Sequence, residues 1–204
     1  MPKDTLECYI KAGKIAVETR KEIRNMIKEG VPIIEICQKV EDTIRRKGGD
    51  LAFPCNLCIN DVAAHYSSPP KDIKMIPKEA VVKVDLGVHV NGYIADTAFT
   101  VSLTPEYDSL IYAVNEALKQ AIRIIKPGIK TDQIGKTIQS VIERYGYKPI
   151  KNLTGHQMSR YVLHTGKSIP NVPKYDFSRL KVDDVFAVEP FLTLSSGDGT
   201  VRAS

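Results

Sequence analysis

The sequence predicts an α+β fold in which a pair of helices followed by antiparallel strands occurs twice. Three observations predict it. Two helix pairs carry matching apolar faces, an Asn-Gly turn joins two β-rich runs, and each helix pair is followed by a histidine-bearing loop and a carboxylate-bearing strand.

A helical stretch runs from about Thr5 to Lys28 and is stopped by Glu29-Gly30. A second helix follows Pro32, with Ile36, Val40 and Ile44 on one face. Gly48-Gly49 ends it. An extended run from Leu51 to Ile59 comes next, then a loop containing His65 and Pro69-Pro70. Two β-rich runs, Val81 to Val90 and Tyr93 to Val101, flank Asn91-Gly92, the strongest short-range hairpin signal.

In the second half a helix from about Glu106 to Lys126 stops at Pro127-Gly128. Thr131 reads as the N-cap of the next helix, whose apolar face is Ile134, Ile138 and Ile142. These follow Gly128 at the offsets at which Ile36, Val40 and Ile44 follow Gly30, a shift of 98 residues. A strand from Val185 to Leu192, carrying Glu189, then leads to the turn Ser196-Gly197-Asp198-Gly199. The chain therefore reads as one domain, 1–204, built from halves of about 1–103 and 104–204. The return strand of the first half has no counterpart in the second.

Hydrophobic residues at 43% and charged residues at 26% place the chain among soluble globular proteins. No apolar run approaches the roughly 20 residues of a membrane span. The start, Met1-Pro2-Lys3-Asp4, lacks the apolar core of a secretory signal, so a cytoplasmic location is expected. The net charge of +5 is spread along the chain, with Arg45-Arg46-Lys47 the densest cluster, which fits a solvated surface better than a nucleic-acid partner. Cys55 and Cys58 have no second Cys-x-x-Cys to complete a zinc ribbon. They lie on extended chain rather than at a helix start, and are expected to be reduced and structural.

If Asn91-Gly92 is a two-residue turn, Val90 faces Tyr93 and Asp85 faces Ala98. Asp96 then lies diagonally from Asp85 on the same sheet face, roughly 7 Å or less away. Two such carboxylates repel one another and resist desolvation, unless both face water or a cation sits between them. Glu189 interrupts the apolar run Val185-Phe186-Ala187-Val188 and needs a partner, a metal or an arginine such as Arg160. His156 follows Gly155 in a polar loop. Asp85, Asp96, His156 and Glu189 together make an oxygen-rich set with one imidazole, suited to manganese, iron, cobalt or zinc. Such a site makes hydroxide available near neutral pH. His89 reads as a surface residue at the turn. His156 and His164 are eight residues apart, roughly 26 Å along a straight strand, so they meet only if the intervening chain curls.

Asn60-Asp61-Val62-Ala63-Ala64-His65-Tyr66, Lys83-Val84-Asp85-Leu86-Gly87, Asp96-Thr97-Ala98-Phe99-Thr100, Gly155-His156, Leu163-His164-Thr165-Gly166 and Val188-Glu189-Pro190-Phe191 resemble, in order, successive motifs of the methionine aminopeptidases. The Ala-Ala-His-Tyr form resembles the second type of that family and, with the short N-terminus, an archaeal member. The resemblance implies a pita-bread fold, a pseudo-twofold repeat of helix pairs on a mostly antiparallel curved sheet. It implies a metal-dependent exopeptidase that removes the initiator methionine from nascent polypeptides, with two divalent ions held by Asp85, Asp96, His156 and Glu189. His65 and His164 become substrate-positioning and catalytic residues, and Phe53, Leu163 and Phe191 line the methionine pocket, as suits an unbranched thioether. A transient ribosome contact is a further implication; a membrane partner is not.

The family's terminal motif, with its last bridging glutamate, is absent from this sequence. Residues 1–204 are accordingly expected to be a fragment or a shortened relative, to hold at most one ion firmly, and to show little aminopeptidase activity alone. The competing expectations are an Xaa-Pro aminopeptidase or prolidase of the same fold, and a non-catalytic protein- or RNA-binding module.

Overall fold

The computed structural model describes residues 1–174 and 178–202. The chain divides into two compact units, Met1–Tyr107 with Arg160–Leu163, and Asp108–Ser159 with His164–Ser204.

In the first unit, α1 (Lys3–Arg24) and α2 (Ile33–Arg46) cover a three-stranded antiparallel sheet, β1 (Asp50–Ile59), β2 (Val81–Val90) and β3 (Tyr93–Ser102), in the order β1-β2-β3. Helix α1 opens at Pro2, whose missing N–H is no loss at a helix start, and Leu6 N–H donates to the Pro2 carbonyl at 3.1 Å. It buries Ala12, Ala16 and Ile23; α2 buries Ile36, Val40 and Ile44. Beneath them the alternate residues Val82, Val84, Leu86 and Val88 of β2 are fully buried, so the other β2 residues face away from this core.

The β2–β3 register is the one the turn predicts: Val90 opposite Tyr93, Asp85 opposite Ala98, Gly87 opposite Asp96. Asn91 and Gly92 both take left-handed conformations, with φ of 52° and 84°. Both central residues of a type I′ turn require this. Strand β1 joins β2 less regularly, with register shifts on either side of Phe53. The backbone and side chain of Arg160–Tyr161 also belong to this unit: Tyr161 N–H donates to the Gly92 carbonyl at 2.8 Å, and Arg160 Nε to that of Asn91 at 2.9 Å.

A 3-10 turn, Pro105–Tyr107, ends the first stretch of the first unit; in the second unit α3 (Asp108–Ile124) pairs with α4 (Thr131–Arg144). The small buried face Ala113, Ala117 and Ala121 belongs to α3; Ile134, Ile138 and Ile142 form the buried face of α4. The strands are β4 (Lys148–Pro149), β5 (Thr154–Ser159), β6 (Val162–Pro170), β7 (Val185–Ala187) and β8 (Leu192–Thr193). They form a pair β4-β8 and a triplet β6-β5-β7.

The internal repeat reaches individual hydrogen bonds. Helix α2 spans 33–46 and α4 spans 131–144, the 98-residue shift at both ends. Gly30 and Gly128 are both left-handed, with φ of 77° and 88°. Gly30 N–H donates to the Ile76 carbonyl and Gly128 N–H to that of Leu180; Ile33 N–H donates to Lys74 and Thr131 N–H to Ser178.

Three expectations are corrected. Thr131 is the first residue of α4 rather than its cap; it is buried at the position of Ile33, and Lys130 N–H is met by the Gln133 side chain at 3.2 Å. The strand expected from Val185 to Leu192 is two short strands in different sheets, with Glu189 between them, where Pro190 can donate no ladder bond. His89 is half-buried rather than a surface residue: its Nδ1 accepts from Gly92 N–H at 3.3 Å and its ring meets Tyr161 edge-on.

Because Ile36 and Ile134 are fully buried at equivalent positions, Ile36→Ala and Ile134→Ala should each destabilise the protein by about 2–5 kcal/mol. Urea unfolding checks this, and a parent-like midpoint in either variant would contradict the packing described.

Candidate metal centre

The outward face of the first unit's hairpin carries Asp85 and Asp96. Asp85 lies opposite Ala98 and Asp96 opposite Gly87, so the carboxylates are diagonal neighbours on one face, both half-buried. Gly87 lets an aromatic ring lie beside them. A Cβ there would stand 2.3 Å from the Phe53 ring and 2.9 Å from Ala52 Cβ, so only glycine leaves room. Phe53, the candidate pocket residue, therefore shares the face of the two aspartates.

Asn56 lies directly opposite Asp85 in the β1–β2 ladder. Its Nδ2 donates to Asp85 Oδ2 at 3.4 Å, and its Oδ1 accepts from Ser67 Oγ at 2.6 Å. Lys83 shares the outward face; burial, the leading cause, holds its ammonium below the usual lysine range. Neither Asn56 nor Lys83 was picked out from the sequence.

His65 is exposed and left-handed, with φ of 65°. The chain after it is zipped onto β1: Leu57 N–H donates to the Tyr66 carbonyl at 2.9 Å, Tyr66 N–H to Cys58 Sγ at 3.4 Å, and Ser67 bridges to Asn56. Asp72 organises the same loop, accepting from Lys74 N–H, Ser68 Oγ and Tyr66 Oη at 3.0, 2.7 and 2.8 Å. The Lys74 N–H bond, then the two hydroxyls, hold its carboxyl below the usual aspartate range.

In the second unit, Gly155 permits β5 to approach the segment after β7. A Cβ at Gly155 would lie 2.3 Å from the Ala187 carbonyl oxygen and 3.1 Å from Glu189 N. That approach seats His156 opposite Ala187 and brings His156 Nε2 to 3.0 Å from Glu189 Oε1. Glu189's neighbour is thus an imidazole; Arg160, the alternative partner, is engaged with Asn91 and the Tyr93 ring. The turn between β5 and β6 supplies the curl that the spacing of the histidines required, and the rings of His156 and His164 lie 4.1 Å apart, edge to face. Gln157, Asp184 and Lys167 brace this sheet, with Gln157 Nε2 3.1 Å and Lys167 Nζ 2.6 Å from the two Asp184 oxygens. Phe191 lies two residues beyond Glu189, its carbonyl accepting from Ile150 N–H at 2.9 Å. Leu163, the remaining candidate pocket residue, is half-buried on β6 and counts with the first unit.

The donors fit a metal. Two atoms each about 2.0–2.2 Å from a first-row ion, at a right angle, stand about 3.0 Å apart. His156 Nε2 and Glu189 Oε1 have that separation. The cysteines do not belong to such a site. All four are free thiols, and Cys55, hydrogen-bonded to Cys37 and buried, is held far above the ordinary thiol range, the opposite of a redox-active thiolate. Among the described residues no helix is long and apolar enough to cross a membrane.

The model of metallopeptidase family M24 matches residues 7–204. The chain belongs to that family and has the pita-bread fold. It is 49% identical over 196 residues to the methionine aminopeptidase of Methanocaldococcus jannaschii, covering 96% of this chain and 66% of that protein. The methionine aminopeptidase of Methanothermus fervidus is 41% identical, over 82% of this chain and 96% of its own length. The crystal structure of the Thermotoga maritima methionine aminopeptidase superposes with a TM-score of 0.85 at 26% identity, covering 94% of this chain and 80% of that one. The chain spans a little under two thirds of the length of most of the curated relatives it matches.

Two predictions follow from the local geometry. Gly155→Ala should separate β5 from the Ala187–Glu189 backbone and lower stability by about 1–3 kcal/mol, measured by denaturant unfolding, because the obstacle is backbone. A neutral effect would mean that the approach is not constrained. The depressed carboxyl of Asp72 contributes order that is complete above the ordinary aspartate pKa of about 4 and is lost as pH falls below it. The protection of amides over 61–75, measured as exchange relative to the unprotected rate at the same pH, should therefore fall at low pH in the parent and already be reduced near pH 7 in Asp72→Asn.

Proposed function

We propose that this protein is an aminopeptidase that removes N-terminal methionine from polypeptides, using two divalent ions held by Asp85, Asp96, His156 and Glu189. The 49% identity to a methionine aminopeptidase carries this reading, in a chain that retains all four ligand-type residues. The oxygen-rich donor set suits cobalt, manganese, iron or zinc. We extend the proposal to nascent chains in the cytoplasm, with transient contact at the ribosome.

Bound metal would supply an acidified water that delivers hydroxide near neutral pH. The rest of the work falls to the chain's own side chains. His65 and His164 would position the scissile carbonyl and stabilise the charge that develops on its oxygen. Phe53, Leu163 and Phe191 would enclose the methionine side chain, whose flexible thioether packs well against aromatic edges. The outward face of β2 and β3 supports the division of labour, since it offers two carboxylates beside an aromatic ring.

The complete gene product, supplied with Mn²⁺ or Co²⁺, should release methionine from Met-Ala peptides and lose that activity to a chelator. His164→Ala should lower kcat/KM by about 10²-fold with metal content unchanged. Cleavage of Xaa-Pro peptides in preference to Met-Ala peptides would replace this reading with the prolidase one. Absence of any stoichiometric divalent ion would replace it with a binding module.

A further inference from the structure

We infer that Asn56 is a positioning residue for the cation site, a clamp that sets the rotation of the Asp85 carboxylate and is itself oriented by Ser67. The inference rests on the reading of Asp85 as a metal ligand. Asn56 is 9% exposed and lies directly across the ladder from Asp85. Its amide has one possible orientation. A carboxylate only accepts, so the edge facing Asp85 must be the Nδ2 donor, and Oδ1 then turns to Ser67, whose hydroxyl donates at 2.6 Å. The short Ser67 bond fixes the amide plane, and the longer 3.4 Å contact to Asp85 Oδ2 steers the carboxylate rather than anchoring it. An N–H on Oδ2 biases that oxygen away from free rotation and leaves Oδ1 to face a cation.

Such outer contacts orient metal-ligating side chains, and their loss typically weakens metal affinity by about 10–100-fold. The long Asn56–Asp85 contact puts the expected effect at the lower end. Ser67 also ties the clamp to the loop of His65, two residues upstream, through the Asn56–Ser67 bridge and the Leu57–Tyr66 bond. Asn56 thus touches both the Asp85 strand and the segment that follows His65.

The test is calorimetric titration of the metal-free complete protein with Mn²⁺ alone, with melting temperature as a second readout. Asn56→Leu keeps the branched shape and removes both hydrogen bonds; it should weaken Mn²⁺ by about 10-fold. Ser67→Ala releases the amide and should weaken it in the same direction by a smaller factor, while the metal-free protein melts as the parent does. Asp85→Asn is the control for the underlying reading. If Asp85→Asn abolishes Mn²⁺ binding while a folded Asn56→Leu binds as the parent does, the clamp is overturned and the ligand reading stands. Should Asn56→Leu fail to fold, parent-like Mn²⁺ affinity in Ser67→Ala overturns it instead. If Asp85→Asn itself binds Mn²⁺ normally, the ligand reading fails, and the clamp with it.

Discussion

The register of β2 against β3 is the constraint on which the first unit's chemistry depends. Side chains alternate across a strand, so slipping the pairing by one residue turns every inward residue outward. Here it would bring Asp85 and Asp96 into the layer of Val82, Val84, Leu86 and Val88, which is fully buried under the helices. Two uncompensated carboxylates there would cost far more than any hairpin gains. The two-residue turn prevents this, since Asn91 and Gly92 tolerate the left-handed conformations that join right-twisted strands without a bulge. The apolar face holds the register from one side and the turn from its end, and the aspartates follow.

The second unit reuses the helix-pair part of this plan and changes what comes after it. At the start of α2 and α4, paired main-chain bonds anchor the helix to a later segment, Gly30 and Ile33 to 74–76, Gly128 and Thr131 to 178–180. The helices repeat at a shift of 98 residues, whereas the anchoring segments, Ile76 and Leu180, are 104 apart. The second connection is six residues longer, and there the chain after β5 builds a full strand to make the hairpin of β5 and β6, where the first unit has the bridge between Asn56 and Ser67. That hairpin carries His156 and His164. The helix pair that repeats builds the core, and the two units differ in the chain that returns along β1 and β5.

Legibility in the sequence followed the strength of local chemistry. The helix pairs were readable because isoleucines at helical spacing and terminal glycines act within one element. The β2–β3 register was readable because a two-residue Asn-Gly loop allows a single pairing. The approach of His156 to His164 was not, because the turn between them is Arg160-Tyr161, and Tyr161 takes a left-handed φ of 59° that its side chain does not advertise. Tertiary contacts hold it there, its N–H donating to the Gly92 carbonyl. Asn56 was invisible for a related reason. Its place opposite Asp85 depends on two irregularities in β1 near Phe53, and no periodicity carries across them. Glu189 was assigned to a strand because Val185-Phe186-Ala187-Val188 is apolar, but Pro190 removes the ladder beyond it.

The same irregularity that hid Asn56 explains how one sheet face can hold both charge and an apolar wall. A regular β1 would set a side chain opposite each outward residue of β2, with no reason to bring a large ring over Gly87. The shifts on either side of Phe53 lay its ring across the glycine, and the ladder resumes at Asn56 in time to place an amide against Asp85. Ring, amide and the two carboxylates thus follow one another over a few residues of strand. On the proposed reading this order has a chemical use. A polar terminus drawn to a cation and an unbranched apolar side chain leave the same α-carbon, so a site that recognises both must change from charged to apolar within one residue's reach. A bulged strand beside a regular hairpin achieves that change without burying an unpaired charge.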